Sequence, residues 1–209
     1  MKYDVVIVAS GKGERAKLGY NKAFFRFSDG KTVLEHSASL FLEDDDCQNI
    51  IIVTNEEYFN QVPNNIKIQK IEGGTERKDS VKNGLSLVKS EYVLIHDAAR
   101  PFLNIKSLQE LKKAVEQKDA AILATKVVDT VKQVFNGKIN KTIDRNEIYL
   151  AETPQAFKSD LIKRCYKECD DINFTDDASL VESLGSDVYV VEDKYSNKKL
   201  TTEMDFKNI

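Results

Sequence analysis

Two cationic side chains, Arg15 and Lys22, belong to a long polar loop that follows the apolar run Val5–Val8. The run is rich in β-branched residues and lacks polar–apolar alternation, which predicts a buried strand. Gly11 and Gly13 allow the loop backbone to turn its N–H groups inward, and such nests bind phosphate oxygens. The two cations can then neutralise oxygens that backbone dipoles leave charged. This combination of groups suits a triphosphate.

The same segment shares features with two other kinds of phosphate-binding loop. Gly11, Gly13 and Ala16 fit the dinucleotide fingerprint G-x-G-x-x-G/A, which also needs a helix inside the loop and an acidic residue after a second strand. Residues 33–42 instead have helical spacing where that second strand would lie. The P-loop pattern fails because no G-K-[ST] sequence closes the loop. A plain strand-to-helix turn is the alternative without a ligand, but long loops in compact domains are usually functional.

Composition describes an ordinary globular protein of 209 residues with a formal net charge of −3. A chain of this length can form one α/β domain, which we predict to span residues 1–209. The charge gives no general attraction to nucleic acids or anionic membranes, so neither partner is expected. No apolar run has the ~20 residues of a transmembrane helix, and a strand near the N-terminus leaves no room for a signal peptide. The three cysteines, Cys47, Cys165 and Cys169, predict reduced thiols rather than disulfides or a zinc site, and hence a cytoplasmic location.

Strand-like and helix-like segments alternate through the first two thirds of the chain. The predicted strands are Val5–Val8, Ile50–Val53, Ile66–Ile71, Tyr92–Ile95 and Ala121–Ala124, and the predicted helices are Thr32–Leu42, Asp79–Val88 and Ser107–Gln117. Such alternation is typical of a Rossmann-like three-layer α/β domain with a mostly parallel sheet. Ligands of these sheets bind beyond the C-terminal ends of the strands. The polar loops at residues 10–22, 73–77 and 96–101 are therefore expected to meet around one ligand.

The pattern changes after residue 127, where a β-hairpin is expected. Asn136-Gly137, the strongest short hairpin signal, joins Val131–Val134 to Lys138–Ile143. An isolated hairpin is marginally stable in water, so this arm should pack on the rest of the chain or on a partner subunit. The remaining predicted elements are the helices Lys158–Lys167 and Asp177–Leu184, the second capped by Thr175, and the strand Val188–Val191.

Seven short motifs follow one another along the chain. They are A-S-G-K-G-E-R…N-K, G-G-T-E-R-K-D-S, H-D-A-A-R-P, V-D-T-V-K, D-R…T-P-Q-A-F, T-D-D-A-S and N-K-K-L-T. Their order and spacing, from Val5 to Asp205, resemble those of the 2-C-methyl-D-erythritol 4-phosphate cytidylyltransferases of the non-mevalonate isoprenoid pathway. The sister family of ribitol 5-phosphate cytidylyltransferases shares most of this framework. Residues 97–100 and the pair Asp144-Arg145 favour the methylerythritol family.

The resemblance implies that CTP and a polyol phosphate give a CDP-polyol and pyrophosphate. An acceptor phosphate oxygen would attack the α-phosphorus of CTP in line with the departing pyrophosphate. Such a reaction depends mainly on positioning and charge neutralisation. Two polyanions must meet, so several cations and Mg²⁺ are expected. The resemblance also implies a homodimer joined through the arm at residues 127–150.

Carried over by position, the resemblance assigns four cations to the chemistry. Arg15 and Lys22 would stabilise charge on the α- and β-phosphates, and Lys199 would orient the acceptor phosphate. Arg145 would reach across the dimer to the acceptor, together with Thr130 of the same arm. A guanidinium suits that role because it can bind a phosphate through two parallel hydrogen bonds. The alternative for Arg15 and Lys22 is the solvated state that most surface cations have.

The resemblance also implies which residues contact each substrate. Small residues and backbone groups would recognise cytosine because they allow the base to approach closely. The residues expected to bind CTP are Ala9, Ser10, Gly11, Gly13, Gly74, Thr75, Arg77, Ser80 and Ala98. The residues expected to bind the acceptor are Asp97, Arg100, Thr130, Arg145, Thr153, Thr175 and Lys199, and Asp97 is also the candidate Mg²⁺ ligand. Alternatively, Asp97 caps a helix over Ala98–Phe102, and Arg100 supports Asp97.

The chain departs from the family pattern in the loop and near the acceptor residues. Asn21 stands where proline is usual, Ala23 where glutamine is usual, and Glu152 where glutamine is common. None of these departures removes a proposed catalytic cation. A nucleotide-binding module without activity is the alternative of another class, because fold alone does not prove activity. Retention of all four cations argues against it.

Overall fold

The computed structural model describes residues 1–11, 13–168 and 174–207, so Cys169 of the sequence prediction lies outside the described residues. The strands are β1 Tyr3–Val8, β2 Cys47–Thr54, β3 Ile68–Glu72, β4 Tyr92–Asp97, β5 Ala120–Lys126, β6 Val131–Phe135, β7 Lys138–Ile143, β8 Tyr149–Lys158 and β9 Tyr189–Glu192. The α-helices are α1 Val33–Glu43, α2 Arg77–Leu85, α3 Ile105–Lys118, α4 Ser159–Glu168, α5 Asp177–Ser183 and α6 Glu203–Phe206. Short 3-10 turns cover Glu14–Ala16, Lys22–Phe24, Glu56–Gln61 and Arg145–Glu147. Within the described ranges, every helix is too short or too polar to cross a bilayer.

Seven strands form one sheet in the order β3-β2-β1-β4-β8-β5-β9. Strands β1 to β4 are parallel to their neighbours among themselves, and β9 is parallel to β5. The mostly parallel α/β fold predicted from the alternation of elements is therefore confirmed. Since β1 and β4 are adjacent and parallel, the loops that follow them leave the sheet at the same edge.

The interior strand β8 was not predicted from the sequence. It runs antiparallel between β4 and β5. Its residues Glu152–Gln155 are polar or proline and yet buried, whereas proline and polar clusters usually mark the end of a strand. The pairing of β5 with β8 shifts between Ile122 and Ala124, opposite Pro154, so the ladder does not need a donor there. This strand brings polar groups under the C-terminal end of β4.

Helices cover both faces of the sheet because the side chains of β1 alternate between two apolar clusters. Val5 and Ile7 pack in the cluster that includes residues of α1 and α3, while Val6 packs with α2, α4 and α5. At Gly84 of α2, a Cβ atom would lie 2.5 Å from Val6 Cγ1. This close approach fixes α2 against the sheet and sets the position of the loop that precedes it.

The predicted hairpin is present as β6 and β7, which form a separate two-stranded sheet. Asn136 and Gly137 both have positive φ angles, 48° and 75°, as the tight hairpin turn requires. The exposed fractions are 73% for Phe135 and 64% for Ile139, so the described part of this chain leaves the apolar residues of the arm uncovered.

The predicted helix ends differ from the observed ones by up to three residues, the largest difference being the end of α2 at Leu85 rather than Val88. Two further differences concern residues near the site. Helix α2 begins at Arg77 rather than Asp79, so that Arg77 is the first helical residue instead of a loop residue. Helix α5 is capped by Asp176, whose carboxylate accepts a hydrogen bond from the backbone N–H of Ser179. The predicted cap, Thr175, lies one residue before this position. Asp176 occupies the cap position itself, and aspartate is one of the preferred cap residues.

Candidate active site

A cavity of about 770 Å³ opens at the C-terminal ends of β1 and β4. This volume lies in the range of small-molecule sites. Most predicted substrate contacts line it, namely Ala9, Ser10, Gly11, Gly13, Arg15, Lys22, Gly74, Thr75, Arg77, Asp97, Ala98 and Lys199. The residues predicted for the site that are not in its described lining are Ser80, Arg100, Thr130, Arg145, Thr153 and Thr175.

The loops after β1 and β3 press together on one side of the cavity. Ser10 and Ser80 share a hydrogen bond of 2.8 Å between their hydroxyls, and the backbone N–H of Gly74 donates to Ser80 Oγ at 3.0 Å. A Cβ atom at Gly73 would lie 2.4 Å from Ser10 Cβ, and one at Gly74 would lie 2.1 Å from Asp79 Cβ. Only glycine fits at both positions. Ser80 therefore supports the wall from behind and does not face the cavity.

Asn21 fixes the turn that carries Lys22. Its side-chain amide donates to the carbonyl of Ala9 at the end of β1, and its carbonyl oxygen accepts the N–H of Ala23 at 3.0 Å. The backbone N–H of Asn21 donates to Tyr58 Oη at 3.3 Å. The sequence marked Asn21 only as a departure from the family. An asparagine immediately before the turn Lys22–Phe24 could have indicated this anchoring role, because asparagine is a preferred cap residue.

Lys22 lies in a crowded cationic environment. Its ammonium donates to the carbonyl of Leu200 at 2.7 Å. Burial, and then the positive charges of Lys199 and Arg15, lower the pKa of Lys22 to about 8. An anion in the cavity would relieve this repulsion. The arrangement is therefore suited to binding a highly charged phosphate group.

Asp97 lies between two cations. Its Oδ2 is 2.5 Å from Lys199 Nζ, and its Oδ1 is 3.3 Å from Arg77 Nε. Burial disfavours the ionised carboxyl, but Arg77 and Lys199 outweigh this effect and hold the pKa of Asp97 well below its usual range. Asp97 does not cap a helix, because residues 98–102 form a turn in which the N–H of Arg100 donates to the Asp97 carbonyl.

Arg77 has a second acidic partner that the sequence did not predict. Its Nη2 lies 2.8 Å from Oδ2 of Asp177, which is fully buried at the start of α5. The other Asp177 oxygen accepts the Tyr166 hydroxyl at 2.6 Å. Burial opposes the charge of Arg77, but Asp177 and Asp97 outweigh it and raise the pKa of the guanidinium. Asp177 belongs to the T-D-D-A-S motif, and this was the one feature of the sequence that could have marked it as a site residue.

The Arg100 guanidinium does not hydrogen-bond to the Asp97 carboxylate, so its predicted support of Asp97 is limited to the attraction between the two charges and to the backbone N–H. Its guanidinium donates to the carbonyls of Asn197 at 2.7 Å and Ala151 at 3.3 Å. Among the residues that the structure describes, its Nε is buried without a hydrogen-bond partner, as are Glu152 Oε2, Asp193 Oδ2 and Asn197 Oδ1. Burial raises the pKa of Glu152. A polar cluster with unmet hydrogen bonds thus lies behind the Lys199 side of the cavity.

The threonines predicted at the acceptor have different positions. Thr153 is buried beneath Asp97: its hydroxyl accepts the Asp97 N–H at 3.0 Å and bonds His96 Nδ1 at 3.1 Å. Burial lowers the pKa of His96 to about 4, so this imidazole is neutral. Thr175 is exposed beside the cap of α5. In this structure, Thr153 orders the backbone of the site.

Arg145 and Thr130 lie on the arm and not at the cavity of their own chain. Both residues are exposed. The Arg145 guanidinium donates to the carbonyl of Val128, which fixes it near the base of the hairpin. A single chain therefore brings together three of the four predicted catalytic cations.

Comparisons with known proteins agree with the motifs. The family model of 2-C-methyl-D-erythritol 4-phosphate cytidylyltransferase matches residues 3–208. The enzymes of that name from Halalkalibacterium halodurans and Geobacillus thermodenitrificans are 41% and 40% identical to this chain, and each alignment covers 98% of this chain and 94% of the relative. The crystal structure of the Francisella tularensis enzyme matches with a TM-score of 0.85 and 31% identity over 100% of this chain and 98% of that one. The structure of an Anaerococcus prevotii 4-diphosphocytidyl-2C-methyl-D-erythritol synthase matches with a TM-score of 0.87 and 29% identity, covering 99% and 93% of the two chains.

Proposed function

The chain belongs to the 2-C-methyl-D-erythritol 4-phosphate cytidylyltransferase family, and we infer that it transfers the CMP group of CTP to 2-C-methyl-D-erythritol 4-phosphate. It is a nucleotidyltransferase, and pyrophosphate is the second product. The observation that carries the assignment within the structure is the convergence of Arg15, Lys22, Arg77 and Lys199 on one cavity beneath small-residue loops. These groups suit two polyanionic substrates that must approach each other.

The chemical step forms one bond and breaks one. An oxygen of the acceptor phosphate attacks the α-phosphorus of CTP, and the bond from that phosphorus to the bridging oxygen of the leaving pyrophosphate breaks. The acceptor phosphate is already ionised, so the step needs no strong general base. Lys22 and Arg15 stabilise the charge that grows on the α- and β-phosphates.

Lys199 binds Asp97 in the structure and has a second role in the proposal. The acceptor phosphate draws the Lys199 ammonium from Asp97, or shares it with Asp97, when the substrate enters. Arg77 lies 3.3 Å from Asp97, so the carboxylate would keep a cationic partner when Lys199 moves. This exchange lets the site hold its cations in place before the substrates arrive.

Mg²⁺ is the proposed metal, and it would neutralise charge on the triphosphate of CTP. Among the described residues, no three His, Cys, Asp or Glu side chains cluster as a metal site. This donor set fits Mg²⁺ bound with the nucleotide, because Mg²⁺ commonly takes one or two carboxylates together with phosphate oxygens and waters. Asp97 is the carboxylate that we propose for this role.

A homodimer formed through the arm would complete the site. Arg145 and Thr130 are exposed on the arm, and the apolar Val128 beside them is 77% exposed. We propose that the arm packs on a second copy and that Arg145 and Thr130 reach the acceptor bound in that copy. The cytoplasmic location stays a prediction from the sequence.

The assigned reaction is tested by measuring pyrophosphate release from CTP with Mg²⁺ and either 2-C-methyl-D-erythritol 4-phosphate or ribitol 5-phosphate. We expect release with the methylerythritol substrate and little with the ribitol substrate. Release only with ribitol 5-phosphate would retain the mechanism and replace the acceptor. CTP binding without release from either acceptor would support the binding-module alternative. The same assay with a chelator tests the need for the metal.

The lowered pKa of Lys22 predicts the pH dependence of the reaction. The protonated form binds phosphate, and a lysine of pKa about 8 loses its proton as the pH rises through that value. We therefore expect kcat/KM for CTP to fall above about pH 8. A Lys22→Arg variant cannot deprotonate in this range, so its profile should stay flat to higher pH even if its rate is lower. An alkaline decline that persists in this variant would assign the titration to another group.

A further inference from the structure

Arg77 is held from two sides by carboxylates, and the two contacts are unequal. The contact with Asp177 is 2.8 Å, while the contact with Asp97 is 3.3 Å. Asp177 is completely buried, and only its other oxygen, Oδ1, accepts the Tyr166 hydroxyl. The position of the guanidinium is therefore set more strongly by Asp177 than by Asp97.

These contacts form a row of alternating charges from the helix layer to the cavity. Asp177 bonds Arg77, Arg77 bonds Asp97, and Asp97 bonds Lys199. Arg77 and Lys199 use different oxygens of the same Asp97 carboxylate. If Arg77 lost its first partner, it would be drawn fully onto Asp97 and would compete with Lys199 for that carboxylate.

We propose that Asp177 is a positioning residue for the transfer reaction, which acts by holding Arg77 at the cavity wall. Asp177 does not line the cavity, so it acts only through Arg77. Its charge keeps Arg77 directed at the nucleotide and leaves one Asp97 oxygen for Lys199. This role rests on the proposed function, because it requires Arg77 and Lys199 to act on the two substrates.

The test is a double-mutant cycle between Asp177→Asn and Arg77→Ala in the full-length protein. Asparagine keeps the shape of the side chain and removes its charge. We expect Asp177→Asn to lower kcat/KM for CTP at least tenfold, with no further loss when it is added to Arg77→Ala. Residues that act through one another are non-additive in this way. Equal, additive losses in the two backgrounds, or wild-type kinetics in folded Asp177→Asn, would overturn the proposal.

Tyr166→Phe is the matched control. It removes the other hydrogen bond to Asp177 and leaves the ion pair with Arg77, so it should lower the unfolding temperature with kcat/KM within about twofold of wild type. A loss of activity as large as that of Asp177→Asn would indicate a general structural role of this region.

If Asp177→Asn does not fold, Asp177→Glu takes its place in the cycle, since it keeps the charge and moves it by one methylene. Wild-type protein without turnover of CTP and methylerythritol phosphate would instead reject the proposed function.

Discussion

Replacing Lys22 by alanine should lower kcat by about 10²–10³-fold while CTP affinity falls by less than about tenfold. The physical reason is that charge on the β-phosphate oxygens increases as the bond to the leaving pyrophosphate breaks. A cation held in place beforehand then binds the transition state more strongly than the ground state. Asn21 fixes the turn that carries Lys22, and the ammonium is held by the Leu200 carbonyl, so the group is positioned before CTP binds.

The measurement is single-turnover kinetics with CTP and the acceptor, together with equilibrium binding of CTP. Lys31→Ala is a suitable control, because Lys31 is an exposed lysine that does not line the cavity. It should leave both quantities unchanged. A Lys22→Ala protein that bound CTP more weakly but turned over saturating CTP at the wild-type rate would show that Lys22 contributes only uniform binding, and wild-type binding and turnover together would remove Lys22 from the catalytic residues.

The fold was predictable where the sequence pattern reports burial directly. Val5, Val6 and Ile7 lie buried as expected, because a run of β-branched residues without alternation fits a strand covered on both faces, and only Val8 at the strand end is partly exposed. The predicted strand start at Ile66 was wrong, since Ile66 is fully exposed and β3 begins at Ile68. An apolar residue next to a strand has the same local pattern whether or not tertiary packing covers it.

Strand β8 could not be predicted because its stability comes from distant partners. Gln155 donates to Asp176 at 2.7 Å and accepts the Ala178 N–H at 2.9 Å, and Thr125 donates to Glu152 at 2.6 Å. Such bonds offset much of the free-energy cost of burying polar side chains. Nothing in the local sequence announces these partners, so the segment had the appearance of a loop.

The residues of the site also fall into two groups, those that the sequence indicates and those that only the fold brings together. Arg15, Lys22, Arg77 and Lys199 were found from motifs and loop positions, and the structure places them around one cavity. Asp177 and the anchoring role of Asn21 were missed, because each depends on a contact across the fold. For Asp177 that contact joins residues 100 positions apart in the sequence.

Dimers that combine an Arg145→Ala chain with a Lys22→Ala chain should recover about a quarter of the wild-type activity, although each parent is nearly inactive. Arg145→Ala alone should lower kcat/KM for the acceptor by about 10²-fold, since it removes a charged contact to the phosphate. In a mixed dimer, the cavity of the Arg145→Ala chain keeps Lys22 and receives Arg145 from its partner. The other cavity lacks both groups. Half of the dimers in an equal mixture are mixed, and one site in each works.

The position of Arg145 in the structure is the reason that we expect activity to be recovered in the mixed dimers. Arg145 lies outside the cavity of its own chain, on a hairpin whose apolar side chains are exposed. If Arg145 instead acted on its own cavity, every site in the mixture would lack one group, and activity would stay at the level of the parents. Differently tagged chains, purified through both tags, isolate the mixed dimers, which should then show about half of the wild-type activity because one site of two is intact.

Arg164→Ala, at an exposed arginine of α4, is the control. Paired with Lys22→Ala, it should give the same half activity whether sites are shared or not, so only the Arg145 pairing distinguishes the two arrangements.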